Sequence, residues 1–141
     1  MNAQIEELKT NEIKADDIKM NESFISWFEI PALNFDRAVN FYNAIFQIQM
    51  QTNYMNGYSM AFFPGKKEVS GAIICGEGAV PSDKGLLIYL NGGDDLEPVL
   101  NRIECAGGRV LLAKQRINES AGCFALFVDS EGNKMALHSK N

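Results

Sequence analysis

A chain of 141 residues suits one domain and is short for two, and it can bury about two-thirds of its unfolded surface without a metal or a disulfide. With 46% hydrophobic residues, 22% charged residues and a net charge of -5, it reads as a soluble globular protein. Nucleic acid and anionic membrane surfaces are excluded as main partners, because both attract basic patches. A single histidine, His138, excludes metal sites that need two histidines from one chain. Three scattered cysteines, Cys75, Cys105 and Cys123, exclude a disulfide framework and fit a reducing, cytoplasmic setting. No apolar run approaches the roughly 18 residues of a membrane span. The start of the chain lacks a basic patch followed by an apolar core, so no secretory signal is expected.

Residues 1–22 hold six acidic residues, three lysines and no aromatic residue, glycine or proline. They are read as an acidic tail, flexible or weakly helical, or as an arm that docks on a partner subunit; residues 23–141 are read as the domain. The run Phe24–Ile30 is rich in aromatic and β-branched residues, stops at Pro31 and predicts a strand. Ala38, Phe41, Tyr42, Ile45 and Phe46 then share one helical face, with Asn34 or Asp36 as N-cap. Three strand-like runs follow: Ile48–Met55, Tyr58–Phe63 and Gly71–Cys75. Asn56-Gly57 marks a tight hairpin between the first two.

The order then repeats. Leu86–Leu90 predicts a strand, and Asp94 with Glu97 predicts a capping box for a helix. Leu96, Val99, Leu100 and Ile103 form its apolar face, and Gly107-Gly108 ends it. The runs Arg109–Ala113, Cys123–Val128 and Lys134–His138 are strand-like, the last two joined by a turn at Ser130-Glu131-Gly132-Asn133. Trp27 and Leu86 hold matching places in the two halves, as do Phe41 and Leu100. The prediction is an α+β fold of two tandem β-α-β-β-β modules. Each helix covers one face of its sheet, and the other faces form a cup around a pocket.

Trp27-Phe28-Glu29-Ile30-Pro31 with the helix Asp36–Tyr42 resembles the opening of the vicinal oxygen chelate superfamily, which includes glyoxalase, bleomycin-resistance and extradiol-dioxygenase proteins. Asp129-Ser130-Glu131-Gly132-Asn133-Lys134-Met135-Ala136-Leu137 resembles its closing D-P-x-G-N-x-x-E-L hairpin. The resemblance implies paired modules cupped around a pocket, and a homodimer. In metal-dependent members it also implies a divalent ion held by the first and last strands of each module. This chain departs from that ligand set. Trp27 stands where a His or Gln is expected, and Ala136 replaces the closing Glu. Gly71–Cys75 holds no Glu or His, and Gly85–Leu87 is apolar. A slip of one residue brings in only Phe28, Leu86, Met135 or Leu137. No metal site and no cofactor are therefore expected.

Side chains alternate along a strand. If Trp27 replaces a ligand, Trp27 and Glu29 face the pocket, with Leu87 and Tyr89 from the fifth strand and Lys134, Ala136 and His138 from the last. Such a lining suits a flat organic ligand with a polar edge. Glu29 is either a base acting beside a carbonyl or a solvated carboxylate, paired with a cation such as Lys134. His138 is either an acid or a strand-end histidine. Cys75 reads as a small buried residue, since a thiolate would need a cationic neighbour. The glycine clusters match no phosphate loop. Three functions remain: a metal-free small-molecule binding protein that sequesters an aromatic or drug-like compound; a lyase or isomerase of the glyoxalase-like type using Glu29; and a ligand-free dimerisation or regulatory module.

Overall fold

The computed structural model describes residues 24–65 and 70–141. The segment read as a tail, and its boundary, lie outside the described residues. The first module comprises β1 (Trp27–Pro31), α1 (Phe35–Phe46), β2 (Gln51–Met55), β3 (Tyr58–Phe62) and β4 (Ser70–Cys75). The second comprises β5 (Tyr89–Asn91), α2 (Glu97–Ala106), β6 (Arg109–Asn118), β7 (Gly122–Val128) and β8 (Lys134–Ser139). Each builds a four-stranded mixed sheet, ordered β1-β4-β3-β2 and β5-β8-β7-β6. In each the first strand runs parallel to the last and the other pairs are antiparallel. The fold is the α+β arrangement of two β-α-β-β-β modules predicted above.

Local chemistry sets the helix ends. Of the two N-cap candidates for α1, Asn34 is the one used, accepting from the Arg37 amide at 3.0 Å. The capping box expected at Asp94 does not form. The carboxylate of Asp95 accepts from the Glu97 amide instead, and it also pairs with Lys114 at 2.9 Å, tying β6 to the start of α2. Pro98 lies in the first turn, where its missing N–H leaves no helical bond unmade. Asn56 and Gly57 both take positive φ, as a tight turn between twisted strands requires.

The apolar faces of both helices meet in one core. Phe41, Tyr42 and Ile45 of α1 are buried with Leu100 and Ile103 of α2, and with Ile30, Ile73, Phe127 and Leu137 from the sheets. Phe41 packs 6.2 Å from Phe127, and the Arg102 side chain donates to the Ile45 carbonyl at 2.8 Å. Each large side chain buried here contributes about 1.5–3 kcal/mol of transfer free energy, and the contributions cross the module boundary.

Four strands differ from their predicted extents by three residues or more. β2 begins at Gln51 rather than Ile48. β1 begins at Trp27, not Phe24; its pairing with β4 starts at Trp27 opposite Ser70, and Phe24 is 81% exposed. β6 extends beyond Ala113 to Asn118, with three register shifts against β7. β5 is cut to three residues, and the reason lies in its partner. The amides of Ala136 and Lys134 donate to the carbonyls of Ile88 and Ser82. A regular parallel ladder would take the second bond to residue 86. The chain skips four residues there, residues 83–87 loop out of the sheet, and Leu86 is left 97% exposed.

Candidate ligand-binding site

β1 and β5 are edge strands of their sheets, each paired in parallel with the last strand of its module. A cavity of about 680 Å³ opens between β1, the segment from Val80 to Tyr89, and the start of β8. Trp27, Glu29, Leu87, Tyr89 and Lys134 line it, five of the seven residues placed there by alternation. Trp27 is 43% exposed and Tyr89 51% exposed. Large aromatic surfaces left half open on a rigid sheet are unusual in a filled core and suit a ligand-accepting wall.

The remaining two residues do not line this cavity. Ala136 lies opposite Tyr89 and Leu126 in the sheet and is fully buried, because its methyl group is too short to reach past them. His138 opens onto a neighbouring recess of about 510 Å³ that it shares with Tyr89 and Asp94. One of its ring nitrogens, Nε2, lies 2.6 Å from the Ala121 carbonyl oxygen. Glu29 and His138, the two catalytic candidates, thus face different cavities, joined only through Tyr89.

The polar groups of the main cavity are lightly engaged. Glu29 is exposed and accepts from Trp27 Nε1 at 3.4 Å, so the two side chains lean together along one face of β1. The ion pair between Glu29 and Lys134 considered above is not formed. Lys84 instead pairs with Asp83 at 3.1 Å, at the solvent edge. Among the described residues Lys134 and the Tyr89 hydroxyl form no side-chain hydrogen bond. The Lys134 charge is the smallest of the influences, led by the Lys84 hydrogen bond, that hold the Asp83 carboxyl below its ordinary value.

The turn between β7 and β8 is different. Asp129, Glu131 and Asn133 are buried and fully bonded. Asp129 Oδ2 accepts from the Tyr42 hydroxyl at 2.7 Å and from Asn133 Nδ2 at 3.0 Å. Its Oδ1 accepts from the amides of Glu131 and Asn133, both at 2.9 Å. Glu131 reaches the start of α1, where it accepts from the amides of Leu33 and Asn34 and from two nitrogens of Arg37, at 2.7 to 3.0 Å. Burial pushes the Glu131 carboxyl up, but the bonds from Arg37, Asn34 and Ser130 and the Arg37 charge outweigh it and hold it below its ordinary value. Burial, then the Asp129 charge, push the Tyr42 phenol well above its ordinary value, so it remains a donor. Sequence reading took Glu131 and Asn133 as turn residues. They do lie in the turn, and their side chains also clasp the second module to the first.

Sequence reading also missed the cavity wall from the segment before β5, including Val80, Ser82, Lys84 and Leu86. No local signal marks it, since Ser82 is placed by its bonds to residues 133 and 134, and Lys84 and Leu86 by the chain looping out of the sheet. Asn133 lies inside the quoted closing motif, and that position was the available signal.

The positions that carry metal ligands in the resembling superfamily do not fit a metal here. Trp27, Leu87 and Ala136 offer no donor, and among the described residues no three of His, Cys, Asp and Glu converge. No helix among the described residues is long and apolar enough to cross a membrane.

No protein-family model matches the chain, and no curated protein does. Solved structures do. A glyoxylase/bleomycin resistance protein/dioxygenase domain from Frankia sp. aligns at a TM-score of 0.66 and 16% identity, over 84% of this chain and 98% of that one. A glyoxalase/bleomycin resistance protein from Albidiferax ferrireducens aligns at a TM-score of 0.66 and 13% identity, over 84% and 100%. Glyoxalase I from Zea mays aligns at a TM-score of 0.61 and 15% identity over 82% of this chain, which spans 44% of the maize protein. Strand order, parallel pairing of first and last strands, and these likenesses agree: the chain has the vicinal oxygen chelate fold of the glyoxalase and bleomycin-resistance proteins, without that fold's usual metal ligands.

Proposed function

We propose that the protein binds a small, flat organic molecule, without a metal, in the cavity between β1, β5 and β8. The observation that carries this reading is the open cavity of about 680 Å³, whose walls present Trp27 and Tyr89 beside the unbonded ammonium of Lys134. That volume lies within the range of small-molecule sites, and an apolar lining with few polar groups is their usual composition. The ligand's aromatic body lies against Trp27 and Tyr89, and its polar edge is read by Glu29 and Lys134. Sequestration of an aromatic or drug-like compound follows from such a site. The bleomycin-resistance name carried by some structural neighbours is in keeping with it. The protein works as a cytoplasmic homodimer, in which exposed apolar groups at the cavity mouth, such as Leu86 and Val80, find cover.

A lyase or isomerase with Glu29 as base has less support. Glu29 is exposed, whereas a general base gains strength from burial or a charged neighbour, and His138 faces another recess.

Trp27 is the only tryptophan of the chain, so its emission reports on the cavity alone. Titration with a panel of aromatic acids, amines and neutral compounds is expected to give a saturable change with one site per chain. Native mass spectrometry of protein purified without chelator is expected to show a dimer free of metal. A panel without any saturable response, or a stoichiometric divalent ion, would overturn the proposal. Turnover by the wild type that Glu29→Gln abolishes would move the enzyme reading to first place.

A further inference from the structure

We infer that Asn133 is the positioning residue of this cavity: its side-chain amide ties β1, the segment before β5 and the β7–β8 turn together, and so sets the distance between the cavity walls. The inference takes the use of the cavity from the reading above, but its geometry is a property of the ligand-free chain.

Asn133 is 5% exposed and its amide is fully committed. Nδ2 donates to the Pro31 carbonyl at 2.7 Å, at the end of β1, and to Asp129 Oδ2 at 3.0 Å. Oδ1 accepts from the Ser82 amide at 3.0 Å. The next residue completes the grip, because the Lys134 amide donates to the Ser82 carbonyl at 3.2 Å. Both backbone groups of Ser82 are therefore held by residues 133 and 134. Pro31, Ser82, Asn133 and Lys134 all line the cavity. Ser82 is also the last residue bonded to β8 before the chain loops out, so residues 83–87 run from this point to Ile88.

Only an amide of this length meets the demand. Asp would lose both donors and set a second carboxylate against Asp129. Leu or Ala would take away the side-chain partner of the Ser82 amide and of the Pro31 carbonyl, and leave Asp129 Oδ2 with the Tyr42 hydroxyl alone. Asn133 touches no presumed reacting group; it acts through β1 and Ser82. Its own anchor, Asp129, is held in turn by Tyr42 of α1.

The test uses the full-length, ligand-free chain. In the wild type, hydrogen exchange at the Ser82 amide is expected to be slowed at least about a hundredfold relative to an unstructured amide. An unprotected Ser82 amide would overturn the inference without any variant. In Asn133→Ala and Asn133→Ser, exchange at Ser82 is expected to rise about tenfold or more. Acrylamide quenching of Trp27 is expected to rise with it. Arg37→Ala serves as the control, because it weakens the same turn through Glu131 and touches neither Pro31 nor Ser82. It is expected to lower the unfolding temperature while leaving Ser82 exchange and Trp27 quenching near wild type. If Arg37→Ala shifts those two signals as much as Asn133→Ser does, Asn133 only stabilises, and the positioning role is wrong. The dye 8-anilinonaphthalene-1-sulfonate is titrated in parallel. If it binds neither protein while Ser82 and Trp27 respond as stated, the ligand-pocket reading fails and the positioning role stands.

Discussion

The turn between β7 and β8 and the open faces of β1, β5 and β8 are two polar regions that obey opposite rules. In the turn Asp129, Glu131 and Asn133 are buried, and every side-chain donor and acceptor there has a partner. Along the strand faces Glu29, Lys134 and the Tyr89 hydroxyl stand partly open, with one long contact among them, between Glu29 and Trp27. The same residue types appear in both places, so composition does not separate them. Burial does. A buried carboxylate without donors is too costly to keep, so a saturated network marks a structural joint. An open group beside exposed aromatic surface is under no such demand, and this difference supports the binding site proposed above. The closing hairpin that carries the resemblance to the superfamily serves the first purpose at Asp129 and Asn133, and it borders the second at Lys134.

The contrast is broken most readily at Asp129. Asp129→Ala removes the acceptor of four hydrogen bonds and leaves the buried Tyr42 hydroxyl without a partner. A loss of about 3–5 kcal/mol is expected, read by urea unfolding. A loss under about 1 kcal/mol would mean that the clasp does not join the modules.

Glu131→Gln is expected to cost about 2 kcal/mol at neutral pH, through weakened charge-assisted bonds to Arg37 and the start of α1. The folded-state value of this carboxyl lies below its ordinary 4.5. Its contribution is therefore complete above about pH 4.5 and fades as the pH falls through the folded value. The gap between wild type and variant should close in acid; a constant gap from pH 7 to pH 3 would contradict the assignment.

On the cavity side, Trp27→Ala is expected to change stability by about 1 kcal/mol or less, since the ring is 43% exposed. Affinity for any ligand found should fall at least about tenfold by calorimetry. Leu86→Ser is the mildest case. At 97% exposed, its stability effect is expected to stay within about 0.5 kcal/mol. Its measurable consequence would be a weaker dimer by sedimentation. A large stability loss from either cavity variant would show that the open face is part of the core after all.

Much of this was legible before the coordinates. The 3.6-residue spacing of Ala38, Phe41, Tyr42 and Ile45 located α1 and its buried face. Alternation on β1 and β8 predicts Trp27, Glu29 and Lys134 on one surface; all three line the cavity, together with Phe28, Ile30 and Met135 from the alternate positions. Alternation did not reveal that Ala136 is sealed beneath its neighbours, because depth depends on the side chains opposite it. Nor did it show that His138 faces another recess. The run Leu86–Leu90 looked like a full strand because its residues favour one. Its first half has no ladder partner, since Ser82 takes the Lys134 amide.

The order of elements, the apolar faces of both helices and the loss of ligand chemistry at Trp27, Leu87 and Ala136 follow from the sequence by itself, because they depend on residue identity and short-range spacing. The sides of the cavity, the segment that walls it and the clasp were decided by tertiary structure. The bonds from Arg37 to Glu131 and from Asn133 to Pro31 join residues near opposite ends of the domain. No periodic pattern encodes such a pairing: the partners become neighbours only when the two modules share a core, and only then is a turn residue buried deeply enough to need every bond it makes.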